Sequence, residues 1–565
     1  MSELSVPVTI DLMEYENGNW RLDGSVDPGI RLSGLIMKLN GKKLFFREVP
    51  RYAQITCENQ IWKNRKAFAL ELSSKQLQKR NVIKFAVLDD QGNEKKLPVA
   101  AVNYQARVHS GLKYSYWCFD KYLVTLQKEN TVKTGENAKK GREAELLADA
   151  LVIRRTGRTG RVKQELKLLW EILRAPYGSR QMFIMRCLYW LAYPVYTRKN
   201  IWITFDKLYK GGDCGEYFYK YLVKHAEDSI VPVYVINGDA QDRRRLEREG
   251  YHPAVYRSRE QRLLYLYAKM VFGTHSGVNS FCGFNNWEIR FVQDRLRCVN
   301  TCIQHGLSVQ NLEADSNRAV NNNKRYYCAS RCEVENLSAP EYDYGKDVLR
   351  LTGIPRYDGL VNDDKRQILI TPTWRSYIAM PSVMGAVRPY NPEFKNTEYY
   401  RIFEALLSDE RLSGTARRTG YRIIYLLHPV ISAQKRDFTE HEGIELVSAL
   451  EVDYETVLTQ SSLMVTDYSG VQFDFAYMRK PVVYYHPSAL PPHYTGGKFD
   501  YEEQGFGEIC TQKDELVELL CSYMEQGCVL KPFYRARQDD FFAYDDLENS
   551  RRIYEDALEY QTSHR

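Results

Sequence analysis

The chain has 565 residues, 44% hydrophobic and 27% charged. That is the balance of a soluble globular protein, and it excludes a largely disordered or collagen-like chain. At about 150 residues per domain the length corresponds to roughly three to four domains. Lys and Arg number 79 against 72 Asp and Glu, a net charge of +7 that is not evenly spread. Residues 151–200 hold eleven basic residues against Glu165 and Glu171, a local +9, which leaves −2 for the rest.

From Ser5 to Ala106, short alternating runs are broken by turn residues. Val8–Ile10, Leu35–Met37, Leu44–Phe46 and Val82–Val87 read as strands, and Asn17-Gly18, Asn40-Gly41 and Gln91-Gly92 as hairpin turns. This spacing predicts a small β-sandwich-like module over 1–110 with no catalytic constellation.

Residues 111–200 read as a linker followed by basic amphipathic helices from Ala144 onward. Leu166, Leu169, Trp170 and Leu173 recur at helical spacing, and a more aromatic run extends from Met182 to Leu191. Arg154, Arg155, Arg158, Arg161, Lys163, Lys167 and Trp170 are the candidate contacts with an anionic membrane surface. A linker packed on the next domain is the plainer alternative. Nucleic acid is not expected, because no nucleic-acid-binding motif accompanies the patch.

The mixed N-terminus does not read as a secretory leader. No apolar run reaches the ~18 residues of a spanning helix. The twelve cysteines are expected as free thiols of a reducing cytoplasm. Cys298/Cys302 and Cys328/Cys332 carry three intervening residues, not the two usual for structural zinc, and are read as chance spacing. The protein is therefore expected to be cytoplasmic, peripheral on the inner face of the membrane.

From Asn200 strand-like and helix-like segments alternate, restarting after Pro355. The pattern predicts parallel sheets with helical crossovers, in two Rossmann-like halves over 201–354 and 355–565 facing a cleft. Ligands bind such sheets at the carboxyl ends of strands, and four segments place polar residues there. Cys302 to Gly306 ends in His305-Gly306. Ile368 to Arg375 ends in Thr371-Pro372-Thr373-Trp374-Arg375, and Arg suits phosphate. Ile423 to Pro429 delivers His428. Leu463 to Phe475 runs through Asp467-Tyr468-Ser469-Gly470 into a helix with Asp474, and a helix start suits an anion.

Together these motifs resemble the CDP-glycerol glycerophosphotransferase family, the teichoic-acid and capsule polymerases of GT-B-type fold. The resemblance runs from about Ile201 to Gly507 and includes Gln304-His305-Gly306, Thr352 to Asp358, Thr371 to Arg375, His428-Pro429, Thr466 to Ser469, Phe473 to Phe475, and Phe499 to Glu503. Gln304 stands where the family often has Trp, Gly470 where a second Ser is common, and Ser376 to Tyr400 looks like an insertion.

The resemblance implies transfer of glycerol phosphate, or a related polyol phosphate, from CDP-glycerol or CDP-ribitol to a hydroxyl, with release of CMP. The acceptor would be a polyol phosphate, a glycan or a lipid-linked chain. It casts His305 as general base and His428 and Arg375 as stabilisers of charge on the diphosphate. Gly306, Thr373, Asp467, Tyr468, Ser469 and Gly470 would handle the donor phosphates, and Asp474 the polyol or ribose hydroxyls. No tightly bound cofactor and no acidic metal cluster are expected; a divalent metal is left open. The alternatives are a GT-B glycosyltransferase using a nucleotide sugar, and a non-catalytic glycan-binding scaffold.

Overall fold

The computed structural model describes residues 8–57, 60–89, 91–128, 147–175, 179–274, 281–381, 388–492 and 497–564. Two parallel sheets dominate the second part of the chain. The first runs, in spatial order, Ala254–Val255, Ile230–Ile236, Asn200–Phe205, Met270–Gly273, Val299–Cys302, Asn323–Cys328 and Leu349–Leu351. The second runs Ile444–Ser448, Arg422–Leu427, Gln367–Ile370, Ser461–Thr466, Val482–Tyr485 and Ile509–Cys510. In both, the strand order turns back beside the strand that comes first in the chain, the place where loops diverge and a ligand crevice opens. The strand centres read as unbroken apolar runs because both faces are covered: Ile423 to Leu427 and Leu463 to Val465 are buried throughout.

The chain crosses between the halves more than once. Helix Asn549–Ser563 comes after the second sheet in sequence but packs on the first, with Tyr554 against Trp202 and Asp556 bound by Arg325 and Tyr327. Lys210 donates from the first half to the Ala449 carbonyl of the second at 2.9 Å.

The N-terminal part forms two further sheets, mostly antiparallel, that share one core including Trp20, Phe68, Phe85, Trp117, Phe119 and Ile153. Asn17-Gly18 and Asn40-Gly41 turn the chain with φ of 50° and 79°, and 50° and 85°, the left-handed pairs a tight hairpin requires. The β-rich part extends beyond residue 110. Tyr116–Phe119, Tyr122–Gln127 and Ala150–Arg155 complete the second of these sheets.

This corrects the expectation of continuous helix from Ala144. Arg154 and Arg155 lie on a strand paired with Leu123 and Tyr122, and helix begins only at Arg158. Ala150 to Ile153 is buried on both faces, so no alternation marks it as a strand. Two helices come next, Arg158–Arg174 and Ser179–Tyr196. Part of the expected linker, residues 129–146, lies outside the described residues.

Candidate active site

His305 lies just after the strand Val299–Cys302, and its loop is shaped by the residues beneath it. Gln304 takes the left-handed conformation (φ 56°), so the sharp turn falls there and not at Gly306. The amide of Gln304 is buried and donates to the Tyr327 carbonyl at 2.6 Å and to Glu333 at 2.7 Å, while its oxygen accepts from Ser308 at 2.6 Å. Glu333 closes the capping box of helix Arg331–Leu337 and also accepts the Ser308 and Ala329 N–H groups. Burial pushes its carboxyl up, and these donors pull it back. The loop is thus bolted to a helix start, and Gly306 faces open space.

A backbone carbonyl orients the His305 ring. Its Nδ1 lies 2.8 Å from the Thr274 carbonyl, at the end of the neighbouring strand. A carbonyl can only accept, so Nδ1 carries the hydrogen and Nε2 keeps its lone pair. The imidazole pKa lies below its usual value of 6.5: burial among surrounding groups is the main cause, and Lys207 and Arg356 add to it against the pull of Asp213. The edge of the ring still reaches solvent. His305 is thus shifted toward its neutral form, with its basic nitrogen at Nε2.

His428 is built the other way round. It ends strand Arg422–Leu427 and caps the 3-10 turn Pro429–Asp437, where its Nδ1 accepts the Val430 N–H at 3.2 Å. With Nδ1 accepting, the ring hydrogen sits on Nε2. Trp374 lies beside it, ring centroids 6.1 Å apart.

Between the halves sits Arg356, which belongs to the Thr352 to Asp358 motif but has no role assignable from sequence. It grips Asp474 with two nitrogens at 2.7 and 3.1 Å, reaches Asp213 at 2.9 Å, and donates to the His305 carbonyl. Asp213 caps helix Cys214–His225. Burial pushes its carboxyl up, but Arg356 and His305 outweigh that and hold it below the usual range. Asp474 lies on helix Val471–Tyr477, which starts just after Ser469 and Gly470. Arg356 therefore ties the His305 loop to the element carrying the Asp-Tyr-Ser-Gly segment. Asp474, read from sequence as a partner of donor hydroxyls, is buried with both oxygens on Arg356.

Arg375 occupies an unexpected position. It is 2% exposed, and its three nitrogens point to Asp467 (2.8 Å), the Thr373 carbonyl (2.7 Å) and the Pro491 carbonyl (3.1 Å). Asp467 also accepts the Thr373 N–H at 2.7 Å and the Tyr468 N–H at 2.6 Å. Arg375, Thr373 and Asp467 form one buried brace that fixes the loops on either side of the crevice. Tyr468 stacks on His486 with centroids 4.4 Å apart and rings within 10°, and His486 faces the Asp467 carbonyl through Nε2 at 3.2 Å. Ser469 is half-buried and Gly470 exposed, with open space where a Cβ would be. Among the described residues, no group of three or more His, Cys, Asp or Glu side chains is arranged to hold a metal ion.

Residues 191–559 match the family model described as CDP-Glycerol:Poly(glycerophosphate) glycerophosphotransferase. The chain belongs to this family. Among curated relatives, it is 34% identical over 369 residues to the minor teichoic acid biosynthesis protein GgaB of Bacillus subtilis strain 168, covering 65% of this chain and 40% of that protein. It is 24% identical over 202 residues to a teichoic acid poly(glycerol phosphate) polymerase of Bacillus spizizenii, covering 35% of this chain and 46% of that protein. The chain thus spans less than half the length of these relatives. The solved wall teichoic acid polymerase TagF overlays 72% of this chain and 99% of its own at 16% identity, with a TM-score of 0.48.

The basic helices expose an apolar stripe. Val162, Leu166, Trp170 and Leu173 are 58%, 61%, 53% and 44% exposed, whereas Leu168 and Ile172 are buried. Arg158, Lys163 and Lys167 flank the stripe in solvent, and Arg174 lies 4.1 Å over the Trp170 ring. Of the eleven basic residues in 151–200, Arg186 alone is buried, bound by Glu165 and Asp294 at 2.5 and 2.8 Å. Among the described residues no helix is long and apolar enough to cross a membrane.

Proposed function

We propose that this chain transfers glycerol phosphate, or a related polyol phosphate, from a CDP-linked donor to a hydroxyl acceptor in teichoic-acid-like polymer synthesis, releasing CMP. The observation that carries the reading is the pair of histidines at the carboxyl edges of the two parallel sheets, one presenting a base and the other a donor. Family membership supports the reaction class. The two sheets are read as the Rossmann-like halves of a GT-B enzyme, and the N-terminal sheets as a β-sandwich module.

The acceptor oxygen attacks the β-phosphorus of the donor, and the bond to the CMP oxygen breaks. His305 Nε2 takes the proton of the attacking hydroxyl. His428 Nε2–H donates to an oxygen of the diphosphate as charge passes to CMP. Tyr468, Ser469 and Gly470 line the donor phosphates, and the Arg375–Asp467–Thr373 brace holds that surface in place. Positioning supplies much of the remaining acceleration. The acceptor is a polyol phosphate, a glycan or a lipid-linked chain, and the exposed stripe of helix Arg158–Arg174 with its basic flanks lies on an anionic membrane surface.

The test is a donor screen. With CDP-glycerol, CDP-ribitol and a set of UDP-sugars, CMP is the expected product. Release of UDP would reassign the protein as a nucleotide-sugar glycosyltransferase, and no turnover with any donor would make it a binding scaffold.

A further inference from the structure

A cavity of about 1110 Å³ lies at the opposite end of the first parallel sheet from His305. Its floor is formed where four strands begin, at Asn200, Ser229, Lys269 and Val299. The strands Met270–Gly273 and Val299–Cys302, four residues each, separate that floor from the loops carrying Thr274 and His305. At ~3.3 Å per residue this is about 13 Å. The cavity is therefore not the donor crevice, and the inference stands or falls apart from the transferase reading.

The walls come from the two basic helices and are apolar: Leu166 and Leu169 on one, Trp190 and Tyr193 on the other, with Leu266 behind. The apolar side opens outward, since Leu166 is 61% and Trp190 39% exposed. Cations line the cavity as well: Arg198, Lys199 and Lys269 are exposed, while Arg161 also donates to the Asp120 carbonyl and Arg297 to the Asp294 and Cys118 carbonyls. Two acids face it, Glu165 and Glu227, and Glu165 is already held by Arg186 and Arg295. An apolar slot open to one side and lined by these cations complements a molecule with a chain and an anionic head. Arginine forks favour a phosphate head over a single-point anion.

We propose that this cavity binds one phosphate-headed lipid, its head between Arg161, Arg198, Lys199 and Arg297 and its chain along Leu166, Leu169 and Trp190. The site differs from surface adsorption, because the exposed Arg158, Lys163 and Lys167 do not line it. It gives the helices a specific ligand in addition to a general attraction to negative surfaces.

The experiment titrates the full chain with 1-myristoyl lysophosphatidic acid below its micelle concentration, monitored by heat or tryptophan fluorescence. Parallel arms use monomyristoyl glycerol, which lacks the phosphate, and inorganic phosphate, which lacks the chain. Saturable one-to-one binding of the lysolipid is expected, at least tenfold weaker for the glyceride and absent for phosphate alone. Ala268→Phe, which fills the floor, is expected to abolish binding. The exposed double variant Arg198→Ser with Lys199→Ser keeps the core intact and is expected to weaken it fivefold or more. Absence of saturable binding by the wild-type chain, equal binding of glyceride or phosphate, or unchanged affinity in the double variant overturns the proposal.

Discussion

The two parallel sheets solve the same structural problem with opposite chemistry. Each delivers a histidine from the carboxyl end of a strand, and in each the backbone fixes one ring nitrogen. At His305 the Nδ1–H donates to the Thr274 carbonyl, which puts the basic lone pair on Nε2. At His428 the Val430 N–H fills Nδ1, leaving a hydrogen on Nε2. The backbone group that happens to face Nδ1 decides whether a histidine is a base or a donor. One sequence element, a histidine after an apolar strand, therefore takes two hydrogen-bonding arrangements that its own residues do not distinguish.

Substitutions that mimic one role and not the other test this contrast most severely. His305→Ala is expected to slow CMP release about 10²–10⁴-fold, the range for a general base, and His305→Gln should be no better, since an amide takes no proton. His428→Ala should lose about 10²–10³-fold, but His428→Gln should recover part of that, because its amide still donates. Equal behaviour of the two Gln variants in single-turnover assays would break the comparison.

The tie between the halves comes next. Arg356→Ala leaves Asp474 buried without its cation and Asp213 half-buried without its own, a loss of about 3–5 kcal/mol by the usual measure of a broken buried pair. Denaturant titration should register the loss, and turnover should fall with it, because the His305 carbonyl loses its contact. Unchanged stability would show that the halves are held by other contacts.

The pH profile gives a smaller effect. The His305 pKa lies below 6.5, so its neutral, basic form persists through pH 7 and is lost only as pH falls through that lower value. The acid limb of kcat/KM should therefore lie below pH 6.5, and a limb above 6.5 would contradict the environment described for His305. The smallest effect on chemistry is expected at the basic helices. Neutralising Arg154, Arg155, Arg158 and Arg161 should release the protein from anionic liposomes, at about 1 kcal/mol per residue near the surface, with turnover on a soluble acceptor preserved. Unchanged liposome binding would return the segment to the role of a packed linker.

The strand ends are legible in the sequence because buried parallel strands are unbroken apolar runs, and the residues just beyond them are polar by contrast. His305, His428 and the Asp467 to Gly470 segment stand out for that reason. The partners of those residues do not. Glu333 and Arg356 lie 28 and 51 positions from His305 in the chain, and only the fold brings them beneath it. Arg375 has the composition of a phosphate clamp, yet it is turned inward onto Asp467, a fact of burial that no spacing encodes. Arg154 and Arg155 read as helical because the strand before them is buried on both faces and so lacks a period of two.

The central claim is the opposite tautomeric state of the two histidines. Nitrogen-15 NMR of the histidine-labelled protein at pH 7.5, with each signal assigned through its His→Gln variant, reads it directly. Hydrogen is expected on Nδ1 of His305 and on Nε2 of His428; the same tautomer at both sites would contradict this difference.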